Sequence, residues 1–255
     1  MSTMTLSREN FSKVLEILKA VSDSNCTDCD IKSGKIRQKT NDRACVFSAD
    51  VTTILSEMSI AFSSVKQKYF LFKSFELDDN VSLKEENITI EMDEGSYIFS
   101  DELSKLLFRK PTSNLLDNPY IEDTAFNSGI ASKLIDDNLV FSLNINQYLC
   151  RRIRSICEGC ATDTVRCDLL GTTAVLNAST ANNETAMKLA SEITLNKEFP
   201  KGNFRMAILP FILDIKSDIK LDVFKASADV FLCKFNLTCS GIPISIFTQA
   251  KVIFE

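Results

Sequence analysis

A plan that runs twice is the strongest constraint on this chain. Residues 6–29, LSRENFSKVLEILKAVSDSNCTDC, read as a helix followed by a polar break. Phe11, Val14, Leu15, Leu18 and Val21 share one face at helical spacing, and Ser7 is placed to cap it with an acidic residue close behind. Alternating segments at 30–40, 44–51 and 58–64 read as strands, with turns at Ser33-Gly34 and Asn41-Asp42. A second short helix is expected over 65–75, then strands over 81–85, 88–94 and 96–100. About 137 residues later the order recurs. A helix over 143–160 precedes strand runs at 165–179, 186–195 and 204–208. A short helix at 209–215, with Pro210 suited to a first turn, precedes strands at 219–225, 229–240 and 243–254. The halves share pattern and little identity. The expectation is an α+β protein of two similar domains, residues 1–100 and 138–255, each with antiparallel sheets and two helices.

Residues 101–137 lie between the halves. They hold two of the five prolines and no sustained periodicity. The stretch is too long for a tight connection and reads as an interdomain connector. Its apolar residues suggest that it lies against the body of the protein; disorder is the rival reading.

Composition narrows the function. With 45% hydrophobic and 25% charged residues the chain reads as a soluble globular protein. The densest apolar run, 204–215, is shorter than the ~20 residues of a membrane span and carries Arg205 and Pro210. The opening MSTMTLSREN has no basic start before an apolar stretch, so no secretory signal is expected. The Asn-x-Ser/Thr triplets at Asn25, Asn87, Asn177, Asn183 and Asn236 then read as coincidence, and the nine cysteines as free thiols. There is no histidine, which removes Ser-His-Asp and Cys-His catalysis and imidazole zinc sites. The seven glycines are scattered and form no phosphate-cradling loop. The expectation is a protein that is not an enzyme and needs no cofactor. A net charge of −5 argues against a generic nucleic-acid binder, though not against basic residues gathered on one surface.

The charge is in fact sorted. In INQYLCRRIRSICEGC, 145–160, the wheel puts Ile145, Leu149, Ile153, Ile156 and Cys160 in an apolar stripe. Gln147, Arg151, Arg154 and Glu158 lie opposite, Arg152 lies at the flank, and Cys157 is off the centre of the core face. Lys66 and Lys73 face away from Val65, Tyr69 and Phe72, while Lys13 opposes the first helix's core stripe and Lys19 flanks it. Residues 76–94 carry eight carboxylates and one lysine. Each basic face alone is an ordinary solvated surface. Recurrence in three helices suits contact with phosphates without reading sequence. Cys26-x-x-Cys29 and Cys157-x-x-Cys160 each fall at the end of the equivalent helix. The gap between the pairs, about 128 residues, is far beyond zinc-ribbon spacing, and helix C-termini do not activate thiols. Structural thiols are the favoured reading, with metal or redox chemistry as the alternative.

The element order, the repeat, the connector and the basic helices together resemble the DNA sliding clamps, the family of the T-even phage clamp and proliferating-cell nuclear antigen. The stretches FSKVLEILKAV, IAFSSVKQKYFLFKSF, NQYLCRRIRSI, FRMAILPFILDI and GIPISIFTQAKVIFE carry the likeness. The connector looks longer than in the phage clamp. The resemblance implies the DNA clamp fold, with sheets outside and two helices of each domain on the inner face. It implies a homotrimeric ring of six domains around double-stranded DNA. Such a ring has no catalysis, tethers a DNA polymerase to raise processivity, and is opened by an ATP-driven clamp loader. No membrane contact is implied. The setting would be the cytoplasm of a phage host, or the nucleus or viral replication compartment of a eukaryote.

The same resemblance places Lys13, Lys19, Lys66, Lys73, Arg151, Arg152 and Arg154 on the DNA side, with Lys201, Arg205 and Lys216 as lesser candidates. It puts a partner-peptide pocket at Leu134, Ile135, Phe247, Ala250 and Val252, although the last three read equally well as strand core. Subunit edges are implied near Leu106–Lys110 and Thr185–Ile193. The rival readings are a monomeric or dimeric herpesvirus-type processivity factor with one basic face, a CxxC metal or redox protein, and a β-rich virion or scaffold protein.

Overall fold

The structure, a computed structural model, describes residues 2–56, 58–76, 87–112, 115–159, 217–228 and 230–250 with their side chains. It describes the strand backbones of 164–170, 173–179, 184–192, 203–207 and 251–253. The strand expected at 81–85 and the helix expected at 209–215 lie outside the described residues.

The described chain divides into two compact units. Unit 1 comprises Met1–Asp42, Ser48–Tyr120 and Cys239–Ile242; unit 2 comprises Arg43–Phe47, Ile121–Thr238 and Pro243–Glu255.

Unit 1 begins with strand β1 (Ser2–Ser7) and helix α1 (Arg8–Asp23). Strands β2 (Cys29–Lys32), β3 (Lys35–Lys39) and β4 (Cys45–Asp50) follow, with the first three residues of β4 belonging to unit 2. Next come the single turn α2 (Thr52–Leu55), β5 (Ile60–Phe62) and α3 (Val65–Phe72), which tightens into a 3-10 turn over Lys73–Phe75. Strands β6 (Asn87–Met92), β7 (Ser96–Ser100) and β8 (Lys105–Arg109) close the unit. One sheet runs β1-β6-β7-β8, antiparallel throughout. The other runs β4-β3-β2-β5.

Alternation explains the packing. In β6 and β7, Ile88, Ile90, Tyr97 and Phe99 point inward and are buried. Helices α1 and α3 cover that face. Phe11 meets Phe72 edge-on at 5.5 Å, and Phe72 meets Phe99 at 4.7 Å and Phe108 at 5.1 Å. Such edge-to-face pairs add to the burial of the rings themselves.

Unit 2 contains helix α4 (Asp123–Gly129), β9 (Leu139–Ile145), helix α5 (Gln147–Gly159), β10 (Thr164–Leu170), β11 (Thr173–Ser179) and β12 (Glu184–Glu192). It ends with β13 (Asn203–Ala207), β14 (Ile219–Lys225), β15 (Val230–Cys239) and β16 (Ile242–Ile253). Its sheets run β9-β14-β15-β16 and β12-β11-β10-β13. The strand order of unit 1 therefore recurs element for element: β1-β6-β7-β8 answers to β9-β14-β15-β16, and β4-β3-β2-β5 to β12-β11-β10-β13. Helix α5 follows β9 as α1 follows β1.

Several sequence expectations are corrected. Residues 2–7 and 139–145 are strands; α1 starts at Arg8, directly after the expected Ser7 cap, while α5 starts at Gln147, later than the expected 143. Ile145 belongs to β9 and to no helical stripe. The stretch 101–137 is not without regular structure: it supplies strand β8 and helix α4. The run 186–195 begins earlier, as β12 at Glu184.

Candidate nucleic-acid interface and partner groove

Helix α1 is capped by Ser7, whose hydroxyl accepts from the Asn10 amide at 3.2 Å. Its buried face is the expected Phe11, Val14, Leu15, Leu18 and Val21, joined by Ile17 and Ala20. Lys13 donates to Glu9 at 2.6 Å and Lys19 to Asp23 at 2.6 Å, one turn apart along the helix. The Asp23 partner raises the Lys19 ammonium above its ordinary value against the opposing effect of burial. The helix carries three basic and three acidic side chains, so its outer face has little net charge.

Helix α3 differs. Lys66 is exposed, Lys68 lies over the Phe108 ring at 4.8 Å, and no acidic residue occurs within Val65–Phe72. Lys73 belongs to the 3-10 turn, 3.7 Å from Glu76 and over the Tyr69 ring at 5.5 Å. Phe70 and Leu71 stand exposed among these lysines.

Helix α5 starts where Asn146 accepts from the Leu149 amide at 2.9 Å, and Asp218 accepts from the Gln147 amide at 3.1 Å. Arg151, Arg152 and Arg154 are all exposed. Arg154 pairs with Glu158 at 2.8 Å, and Arg152 lies 5.7 Å from the centre of the Tyr148 ring. The core face is not the expected one. Cys150, Ile153 and Cys157 are buried, while Leu149 and Ile156 flank them. Cys157, expected off the centre of the core face, is 1% exposed. The stripe is turned by about one residue because the two thiols pack as small apolar groups.

The positive faces therefore lie on α3 and α5, and α1 adds paired lysines. Lys201 and Lys216 lie outside the described residues; Arg205 falls in the backbone of β13. Lys68 was absent from the candidates; its place between Lys66 and the aromatic run at 69–72 was the signal for it.

The partner-pocket candidates divide. Leu134 is half-buried against the cluster of Phe126, Phe224, Leu232 and Phe247, with Ile121, Ile130 and Leu139 beside it. Phe247 and Ala250 are buried, as strand core would be. Ile135 is 50% exposed and stands outside the cluster. The backbone of Val252 pairs with Phe204, and its side chain lies outside the described residues. The residue that sequence reading missed is Phe126, whose ring meets Phe247 edge-on at 5.7 Å.

The cysteine pair of unit 1 is buried. Cys26 Sγ lies 3.8 Å from the Ser24 carbonyl and Cys29 is wholly enclosed. Burial pushes the Cys26 thiol up to about 11 and Cys29 well above its ordinary value. Thiols held protonated in this way are poor nucleophiles and poor metal ligands. In the second pair, Cys157 is buried and Cys160 lies outside the described residues. Among the described residues no cluster of three or more His, Cys, Asp or Glu side chains could hold a metal ion.

No protein-family model and no curated protein sequence matches the chain. Solved structures do. The proliferating cellular nuclear antigen of Entamoeba histolytica matches with a TM-score of 0.64 over 98% of both chains at 12% identity. A chain of the PCNA2–PCNA3 complex of Sulfolobus tokodaii matches with a TM-score of 0.59 over 98% of this chain and 99% of that one, at 12% identity. The A. fulgidus PCNA structure with the C-terminal region of FEN-1 bound matches at 0.64 over 100% of both chains, at 11% identity. The chain has the fold of these clamps.

Proposed function

We propose that this chain is the protomer of a DNA sliding clamp, a non-catalytic ring that encircles duplex DNA and tethers a DNA polymerase. The fold carries the reading: PCNA structures match it over 98–100% of the chain, at TM-scores of 0.64. The DNA side is formed by Lys66, Lys73, Arg151, Arg152 and Arg154, with Lys13 and Lys19 beside their acidic partners. Mobile cations of this kind hold phosphates by screened attraction and let the duplex slide. An ATP-driven loader would place the ring on DNA. The clamp would work wherever the chain's own polymerase replicates DNA.

Strand edges support ring closure. Within unit 2, β16 has the start of β4 as a neighbour besides β15 and β13, and Thr248 Oγ1 donates to the Ala44 carbonyl at 3.4 Å. In the repeat, β16 is the counterpart of β8 and β4 the counterpart of β12. Strands β8 and β12 are each terminal in their sheets among the described residues. Like β1, β5 and β9 they end a sheet, and in the repeat they are the counterparts of the adjacent strands β16 and β4. A second copy can pair β12 with β8 as β4 stands beside β16, and head-to-tail repetition with the right rotation closes a ring. The PCNA2–PCNA3 complex is a precedent for assembly between clamp chains, and the FEN-1 complex for capture of a partner's terminal segment.

Light scattering across a concentration series tests the reading. The chain mass is 28.5 kDa, and a species of about 86 kDa is expected for three copies. A single-chain mass at every concentration would replace the ring with a one-faced DNA binder.

A further inference from the structure

Among the described residues, aromatic side chains are almost all turned away from water. Phe70 is the one exposed phenylalanine, at 61%, and Tyr148 the one exposed tyrosine, at 65%. The other described phenylalanines are buried, many of them ring against ring, as Phe72 is with Phe99 and Phe108. A single exposed ring would need no explanation. These two stand on the two helices whose outer faces are positive, α3 in unit 1 and α5 in unit 2.

Each ring is flanked by cations on its own helix face. Phe70 comes four residues after Lys66 and three before Lys73, while the buried Val65 and Phe72 hold the opposite side of α3 to the core. The Tyr69 ring lies 5.4 Å from that of Phe70, and Lys73 lies over Tyr69 at 5.5 Å and 3.7 Å from Glu76. In α5, Arg151 and Arg152 follow Tyr148 by three and four residues, with the Arg152 guanidinium 5.7 Å from the ring centre. The buried Cys150, Ile153 and Cys157 lie on the other side. Duplex DNA offers such a face only phosphates and sugars, because its bases are stacked inside. Unpaired nucleotides offer phosphates to the cations and an open base face to the ring. A second copy meeting the same patch would set like charges against each other.

We propose that Phe70 and Tyr148 are stacking platforms for unpaired bases of single-stranded DNA, with Lys66, Lys73, Arg151 and Arg152 holding the adjoining phosphates. The inference rests on the sliding-clamp reading for the placing of α3 and α5 on the DNA side. Binding of a single strand then has a salt-sensitive part from the cations and a salt-insensitive part from the rings. Every base has a π-face, so the grip has little sequence preference. Duplex passes over these helices through phosphate contacts alone. A stretch where the strands have parted is held more firmly, and movement beyond a primer end onto bare template is slowed.

The test uses the full chain, a fluorescein-labelled oligothymidylate and a labelled duplex of the same length. Phe70→Ala should weaken oligothymidylate binding about tenfold, with duplex affinity and both salt slopes unchanged, since no charge is removed. Tyr148→Ala should do the same. The chain has no tryptophan, so Phe70→Trp supplies a lone reporter ring at the platform. Its fluorescence should be quenched by the oligothymidylate and not by the duplex, and single-strand affinity should be kept. Unchanged single-strand affinity in both alanine variants would overturn the proposal, as would equal quenching by duplex. A lower particle mass for Phe70→Ala in light scattering would also overturn it, by giving the ring to a contact between copies. A native chain that binds duplex while the alanine variants lose nothing ends this inference alone. A native chain that binds neither nucleic acid ends the sliding-clamp reading with it.

Discussion

Arg8 and Asp101 stand 93 residues apart in the chain and 2.6 Å apart in the fold, with the carboxylate side chain 2% exposed. The same guanidinium donates to the Phe75 carbonyl at 2.6 Å. One side chain thus ties the start of α1, the end of the α3 region and the β7–β8 turn. Truncation as Arg8→Ala leaves a buried carboxylate with only the amides of Leu103 and Ser104. The expected loss is about 2–4 kcal/mol, read from urea denaturation.

The pair also sets an acid limb. Burial opposes the charge on Asp101, but Arg8 and the two amides outweigh it and hold the carboxyl below its ordinary 3.8. A carboxyl depressed by folding contributes stability above about pH 4 that is lost as pH falls through its folded value. Asp101→Asn should flatten the decline in stability below about pH 4. An unchanged acid limb in that variant would assign the decline to other carboxylates.

Arg151→Ala with Arg154→Ala should weaken DNA retention about tenfold and lower the salt slope by about two, with assembly intact. Both side chains are exposed, and an exposed Arg154–Glu158 pair is worth well under ~1 kcal/mol, so the fold should not respond. Lys13→Ala with Lys19→Ala should do less, because each already faces a carboxylate. DNA affinity measured across a salt series checks the order of the two variants; the reverse order would move the interface to α1.

Burial chiefly raises Cys26 and Cys150 to about 11, and raises Cys29 well above its ordinary value. A thiol raised by folding contributes stability below its unfolded value near 8.5 that fades as pH climbs toward the folded one. The protein should therefore lose stability between about pH 9 and 11. Disulfide-exchange reagents at pH 8 should label these thiols only as fast as the fold opens. Rapid labelling of Cys26 in the native chain would contradict its burial.

Gly34 turns the β2–β3 hairpin with φ of +68°, and a Cβ there would fall 2.2 Å from the Ser56 carbonyl oxygen. Gly34→Ala should cost about 2–4 kcal/mol, from the left-handed backbone and the collision together. Thermal unfolding measures it directly.

Much of this fold was readable where periodicity and capping agreed. Ser7, the five-residue stripe of α1 and the strand at 96–100 all announce themselves. What escaped did so for physical reasons. Strand β1, STMTLS, has one buried side chain and takes its shape from pairing with β6. Helix α4 is too short for a period to emerge and depends on Phe126. The stripe of α5 was misplaced because cysteine was weighed as chemistry, where the fold uses it as a small apolar filler. The outward direction of Arg151, Arg152 and Arg154 was legible. The pairing of α1's lysines was not pursued, although Glu9–Lys13 and Lys19–Asp23 stand four residues apart in the sequence.

The two compact units exchange short segments, Arg43–Phe47 going to unit 2 and Cys239–Ile242 to unit 1. A ribosome delivers the chain at roughly 5–20 residues per second, so on the order of ten seconds separates Tyr120 from Ile242. The four residues that unit 1 takes from beyond residue 238 are made that much later than the rest of it. Neither unit can be obtained whole by cutting the gene at one point.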